Sequence, residues 1–89
     1  MLNLSEINKY MRETKDWSLE GNSIVKDYTF ENFSEALNFV NKIAEIAEKH
    51  NHHPDILISY NLVRLVLTTH SAGGLTKLDF DVAKEIDKL

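Results

Sequence analysis

NFSEALNFVNKIAEIAEKHNHHP, residues 32–54, holds the clearest periodic segment of the chain and the break that ends it. Phe33, Ala36, Leu37, Val40, Ile43, Ala44 and Ala47 recur at helical spacing and form one wide apolar stripe, which Phe39 and Ile46 broaden. Lys42, Glu45 and Lys49 take the other side. Asn32 and Glu35 stand at the interval of a capping pair, so the helix starts at residue 33 and runs to 49. A stripe this wide has to be covered on most sides, which makes this helix the expected centre of the core. His50-Asn51-His52-His53-Pro54 then stops it, because proline cannot continue a helix and pushes the residue before it into extended backbone.

On either side of this helix the period changes from 3.6 to 2. Upstream, Trp17-Ser18-Leu19-Glu20 alternates, Gly21-Asn22 supplies a tight turn, and residues 23–30 are rich in β-branched and aromatic types (Ile24, Val25, Tyr28, Thr29, Phe30). Downstream, residues 56–60 and 63–70 read as a hairpin around Asn61-Leu62. In its second strand Val63, Leu65, Leu67 and Thr69 share one face, and Arg64, Val66, Thr68 and His70 the other. Residues 4–14 form a first helix, with Leu4, Ile7 and Met11 in phase and Asn3 with Glu6 as a capping box. Ser71 to Gly74 is a loop. Thr76 and Asp79 suit the start of a last helix, whose inward positions are Leu78, Val82, Ile86 and Leu89. The expected fold is α+β: a four-stranded antiparallel sheet with three helices packed on one face, in the order α-β-β-α-β-β-α.

The 89 residues suffice for one domain, 1–89, and leave no room for a second. A core this small is commonly supplemented by disulfides, a metal or self-association. Cysteine is absent, which removes the first and fits a reducing, cytoplasmic setting. The net charge of −4 comes with no basic cluster, against a nucleic-acid surface. Met1 to Glu6 lacks the basic-then-apolar pattern of an export signal, and no apolar run approaches the ~20 residues of a membrane span. The expectation is a soluble cytoplasmic protein.

The chemistry concentrates in histidine. Four are present, at positions 50, 52, 53 and 70, three of them in one break between helix and strand. Imidazole is suited to proton transfer near neutral pH, and two or three around one pocket can divide the acid and base roles. Glu48 and Asp79 are near enough in sequence to orient them. Each residue also has a plainer reading. His50 alone is an ordinary surface histidine, His52-His53-Pro54 a solvated connector, His70 a strand end. Glu48 is then a solvated charge, and Asp79 a charge favouring a helix start by ~0.3–1 kcal/mol. Zinc accepts such ligands, but neighbouring side chains in extended backbone point in opposite directions, so His52 and His53 are poorly placed to share an ion. No metal site is expected. A cysteine nucleophile, a phosphate-binding glycine loop and the G-x-S-x-G setting of a serine nucleophile are all missing.

Taken together, Glu48, three residues, His52-His53-Pro54, five residues, Tyr60, nine residues, His70, eight residues, Asp79 resembles the signature of the pterin-4a-carbinolamine dehydratases. Tyr60-Asn61, Thr69-His70, Gly74-Leu75-Thr76, Trp17, and Phe30 with Phe33 are similar to that family as well, so the likeness spans nearly the whole chain. It implies the same α+β fold and a homodimer or homotetramer joined sheet edge to sheet edge, which would cover strands that otherwise invite aggregation. It implies loss of water from a 4a-hydroxytetrahydropterin to give the quinonoid dihydropterin. His52, His53 and His70 are then the catalytic set, with His52 and His70 as the proton-transfer groups. Glu48, His53, Pro54 and Asp79 are the substrate-binding set, the last supporting the pocket wall. Neither metal nor organic cofactor is implied, since the pterin is the substrate. Two positions depart from what members often carry: Ile56 stands where an aromatic is common, and Leu78 where some have arginine. A different class of function is also represented among relatives, a non-catalytic dimerisation or assembly module of the same fold. Retention of the histidines favours the enzyme.

Overall fold

A computed structural model describes residues 1–89. The elements run α1 (Leu4–Met11), β1 (Ser18–Glu20), β2 (Ser23–Thr29), α2 (Phe33–His50), β3 (Asp55–Ser59), β4 (Leu62–Leu67), a 3₁₀ turn (His70–Ala72) and α3 (Lys77–Ile86). The sheet is antiparallel throughout, in the order β1-β2-β4-β3. Its centre is the pairing of β2 with β4, in register from Ile24↔Leu67 to Thr29↔Leu62. That register puts Ile24, Val63, Leu65 and Leu67 on one face, and all four are fully buried. The helices cover this face with Ala36, Ile43, Ile46 and Ala47 from α2 and Phe80, Val82, Ala83 and Ile86 from α3. α1 adds Ile7, Tyr10 and Met11 at the margin, with the Tyr10 ring stacked 5.4 Å from that of Phe80. The order α-β-β-α-β-β-α and the four-stranded sheet are therefore as the periodicities predict.

Asp87, one residue beyond α3, fastens the first hairpin to the last helix. Its Oδ1 accepts from Trp17 Nε1 and Lys26 Nζ, both at 2.9 Å, and its Oδ2 from the Lys15 amide at 2.9 Å. Burial opposes the charge on Lys26, but Asp87 and Tyr28 outweigh it and hold the ammonium above its ordinary pKa.

Several boundaries and faces differ from expectation. The second hairpin turns at Tyr60-Asn61, one residue early, with Tyr60 at φ +51°. Asn61 explains it: its amide donates to the Phe30 carbonyl and its own carbonyl accepts the Phe30 N–H, so the turn is bonded to the start of the neighbouring connection. α1 ends at Met11 rather than residue 14, where the Thr14 hydroxyl bonds the Met11 carbonyl at 2.9 Å and closes the last turn. β4 stops at Leu67. Thr69 bridges Gly74 across a tight loop, so His70 opens a 3₁₀ turn instead of ending a strand. On α2 the expected stripe splits: Ala36, Ile43, Ile46 and Ala47 go in, while Phe33 and Leu37 remain 47% and 40% exposed. Leu78 and Leu89 are also exposed, so of the four expected inward positions only Val82 and Ile86 are buried, joined by Phe80 and Ala83.

Candidate functional site

The site starts from how α2 ends. Asn51 takes the left-handed conformation, φ 47° and ψ 43°, which asparagine tolerates better than most residues. The Asn51 amide then bonds the Glu48 carbonyl at 3.2 Å, and the His52 amide bonds the Ala47 carbonyl at 3.1 Å. These two bonds form a Schellman closure, which fixes the backbone of His52 relative to the last turn of the helix. Pro54 is buried just beyond and disfavours helical backbone at His53. The two adjacent imidazoles accordingly part company. His52 meets Asp79 on α3, and His53 meets Glu48 on α2.

His52 and Asp79 form the enclosed half. Nε2 of His52 lies 2.5 Å from Oδ1 of Asp79, with side-chain exposures of 12% and 0%. The other carboxylate oxygen, Oδ2, accepts the Thr69 hydroxyl at 2.8 Å and the Thr76 amide at 2.9 Å. Thr69 has one hydroxyl proton and gives it to Asp79, so at their 2.9 Å contact the Thr76 hydroxyl donates to Thr69. Three donors and the positive end of α3 compensate a carboxylate that burial alone would penalise heavily. A carboxylate only accepts, so it fixes the proton of neutral His52 on Nε2 and leaves Nδ1 as the nitrogen able to take a proton. The same carboxylate stabilises the imidazolium that results.

The other half is open. His53 Nε2 contacts Glu48 Oε2, with both side chains more than half exposed. His70 is exposed and makes no side-chain hydrogen bond, but it follows Thr69 directly, and Thr69 shares Asp79 with His52. Asp79 thus ties His52 to the segment that carries His70. Two members of the expected substrate-binding set, Asp79 and Pro54, are buried, and both Asp79 oxygens are already occupied. Asp79 is thus held between His52, Thr69 and Thr76. Nor do the histidines line an enclosed pocket. The groove in the surface lies along the first half of α2, between Phe30, Glu35, Asn38, Phe39 and Lys42. His50 turns from the other histidines to Glu85, at 2.6 Å. No three histidine, aspartate or glutamate side chains converge in a metal-holding group. Sequence reasoning named Thr69 beside His70 but gave it no part in the site. Its signal is faint, a hydroxyl next to His70 and ten residues before Asp79.

The chain is similar to known proteins over its full length. The family model described as pterin 4 alpha carbinolamine dehydratase matches residues 1–89. A protein of Sulfurisphaera tokodaii, provisionally named a pterin-4-alpha-carbinolamine dehydratase, is 52% identical over 84 residues, covering 94% of this chain and 90% of its own. One of Trichodesmium erythraeum with the same provisional name is 49% identical over 89 residues, covering 100% and 96%. Among solved structures, a transcriptional coactivator/pterin dehydratase from Brucella melitensis superposes with a TM-score of 0.91 at 36% identity, covering 98% of this chain and 95% of that one. A pterin dehydratase-like protein identified as a RuBisCO assembly factor in the alpha-carboxysome shares the fold at 19% identity and a TM-score of 0.70, covering 85% and 90%.

Proposed function

The chain belongs to the pterin 4 alpha carbinolamine dehydratase family, and we propose that it eliminates water from a 4a-hydroxytetrahydropterin by histidine acid–base catalysis. In this reaction the N5 lone pair forms the N5=C4a double bond as the C4a–O bond breaks. The hydroxyl takes a proton from an acid and leaves as water, and the N5 proton passes to a base. His52 and His70 are the proton-transfer groups. His53 with Glu48 holds the pterin, and the pterin is the substrate of a reaction needing no metal or organic cofactor. The observation that carries this reading is the His52–Asp79 pair. A buried carboxylate with both oxygens hydrogen-bonded orients one imidazole and leaves its Nδ1 without a hydrogen bond.

The same chain is proposed to work as a homodimer or homotetramer in the cytoplasm. No helix is long and apolar enough to cross a membrane. β3 is a free sheet edge carrying an exposed Leu57, and α2 presents Phe33 and Leu37 to the outside. These unpartnered apolar groups also favour the second reading, an assembly module of the same fold, for which the carboxysomal protein is a precedent in fold alone. Steady-state kinetics on freshly generated carbinolamine separates the two. His52→Ala and His70→Ala should each lose part of kcat and the double variant more. His53→Ala should raise KM more than it lowers kcat. A folded double variant with wild-type kcat would remove the histidines from the reaction and leave the assembly module.

A further inference from the structure

The end of α2 is fastened to α3 at two heights. Near the first turn of α3, Asp79 holds His52. Six residues on, about 9 Å along the axis, Glu85 receives two donors from the last turn of α2. Lys49 Nζ reaches Oε1 at 2.7 Å, and His50 Nε2 reaches Oε2 at 2.6 Å. His50 and Glu85 keep only 24% and 26% of their side-chain surface, so water competes poorly for this pair. Neither residue belongs to the pattern running from Glu48 to Asp79, and neither has a part in the proton transfers.

We propose that Glu85 is a positioning residue, which clamps the last turn of α2 to α3 and thereby seats His52 on Asp79. The lever is short. Asn51 alone separates His50 from His52, and the His52 amide is bonded back to Ala47 inside the same helical end. A tilt of that end therefore carries the His52 ring with it, while Asp79 stays fixed by Thr69 and Thr76. The clamp holds in the Nε2–H tautomer and in the imidazolium alike, because Nε2–H donates to the carboxylate in both, and Lys49 supplies a permanent charge. Lys49 first and His50 second keep the Glu85 carboxyl below its ordinary pKa, so it is ionised at neutral pH.

The kinetic consequence rests on the dehydratase reading, whereas the seating of His52 does not. The test uses the whole protein with Glu85→Ala and Glu85→Gln, and Glu13→Ala as control. Glu13→Ala breaks the ion pair with Lys84, which also lies on α3 but has no link to the histidines. Imidazole nitrogen NMR reports the His52 Nε2–H directly. In Glu85→Ala this resonance should move. The kcat should fall on the order of 10-fold, part of the ~10²-fold that a full 1 Å misplacement can cost, with KM changed less. Glu85→Gln, which still accepts one bond, should recover part of both. Glu13→Ala should leave both unchanged. An unmoved His52 resonance in Glu85→Ala, or the same loss of kcat in Glu13→Ala, would overturn the proposal. A moved resonance in a protein whose wild type has no dehydratase activity would sustain the clamp and discard the dehydratase.

Discussion

Replacing Asp79 with asparagine tests the centre of the site with the smallest change of shape. The asparagine carbonyl can still accept from the Thr76 amide and the Thr69 hydroxyl, which turns its NH₂ toward His52. Nε2 of His52 must then accept, so the imidazole proton moves to Nδ1 and the nitrogen that should take a proton is blocked. Three bonds to a carboxylate become bonds to a neutral amide, each weaker by about 1 kcal/mol. Relief of the buried charge offsets part of that, leaving a net cost of about 1–2 kcal/mol. A domain of 89 residues has roughly 4–13 kcal/mol of stability, so the variant stays folded. A positioned acid or base contributes ~10²–10⁴-fold. With His70 still present, kcat should fall roughly 10- to 100-fold. The assays are urea unfolding, dehydration kinetics and the imidazole nitrogen spectrum of His52. Wild-type kcat together with an unchanged His52 tautomer would refute the reasoning.

Four further outcomes are expected. Phe80→Ala removes a ring with no exposed surface that is stacked on Tyr10, and should cost about 3–5 kcal/mol in denaturant unfolding. Leu37→Lys places a charge on the outer stripe of α2 without touching the core, and light scattering should show a smaller assembly with unchanged circular dichroism. Activity should survive dialysis against a strong chelator; loss that zinc restores would contradict the metal-free reading. Glu85 has its pKa depressed below the ordinary 4.5 when folded, so its contribution is present above that pH and lost as pH falls through the folded value. The stability gap between wild type and Glu85→Gln should close over the same acid range.

The sheet and its helices were legible because two periods dominate the sequence. Val63, Leu65 and Leu67 alternate cleanly, and Ile43, Ile46 and Ala47 fall on one helical face. What failed to show was the outer limit of that face. Phe33 and Leu37 are as apolar as the residues that go in, and periodicity cannot tell a face covered within the chain from one left for a neighbour. The hairpin turn was misplaced because an aromatic residue at positive φ, Tyr60, is uncommon, and the bonds that hold Asn61 come from Phe30, 31 positions away. At the site, the residue types could be named from spacing. Their division could not: the burial of Asp79 depends on Thr69 and Thr76 closing over it, and the pairing of His50 with Glu85 joins two helices whose facing surfaces no local pattern records.

Asp87 carries a consequence for how the molecule comes into being. Its carboxylate is the partner of Trp17 and Lys26, 70 and 61 positions earlier. The β1–β2 hairpin can form by itself during synthesis, but its indole N–H has only water as partner, and its ammonium only the Trp17 and Tyr28 rings and water, until residue 87 has been made. The central pairing has the same character, since β2 must wait for β4 across the whole of α2. At 5–20 residues per second that wait is several seconds, during which a short apolar hairpin stands unprotected. Such long sequence separations slow folding and lengthen exposure to wrong partners. They also make the last step cooperative: the docking of α3 closes the core, satisfies Trp17 and Lys26, and assembles Asp79 with His52. The His52–Asp79 pair therefore exists only in molecules whose last helix has already docked.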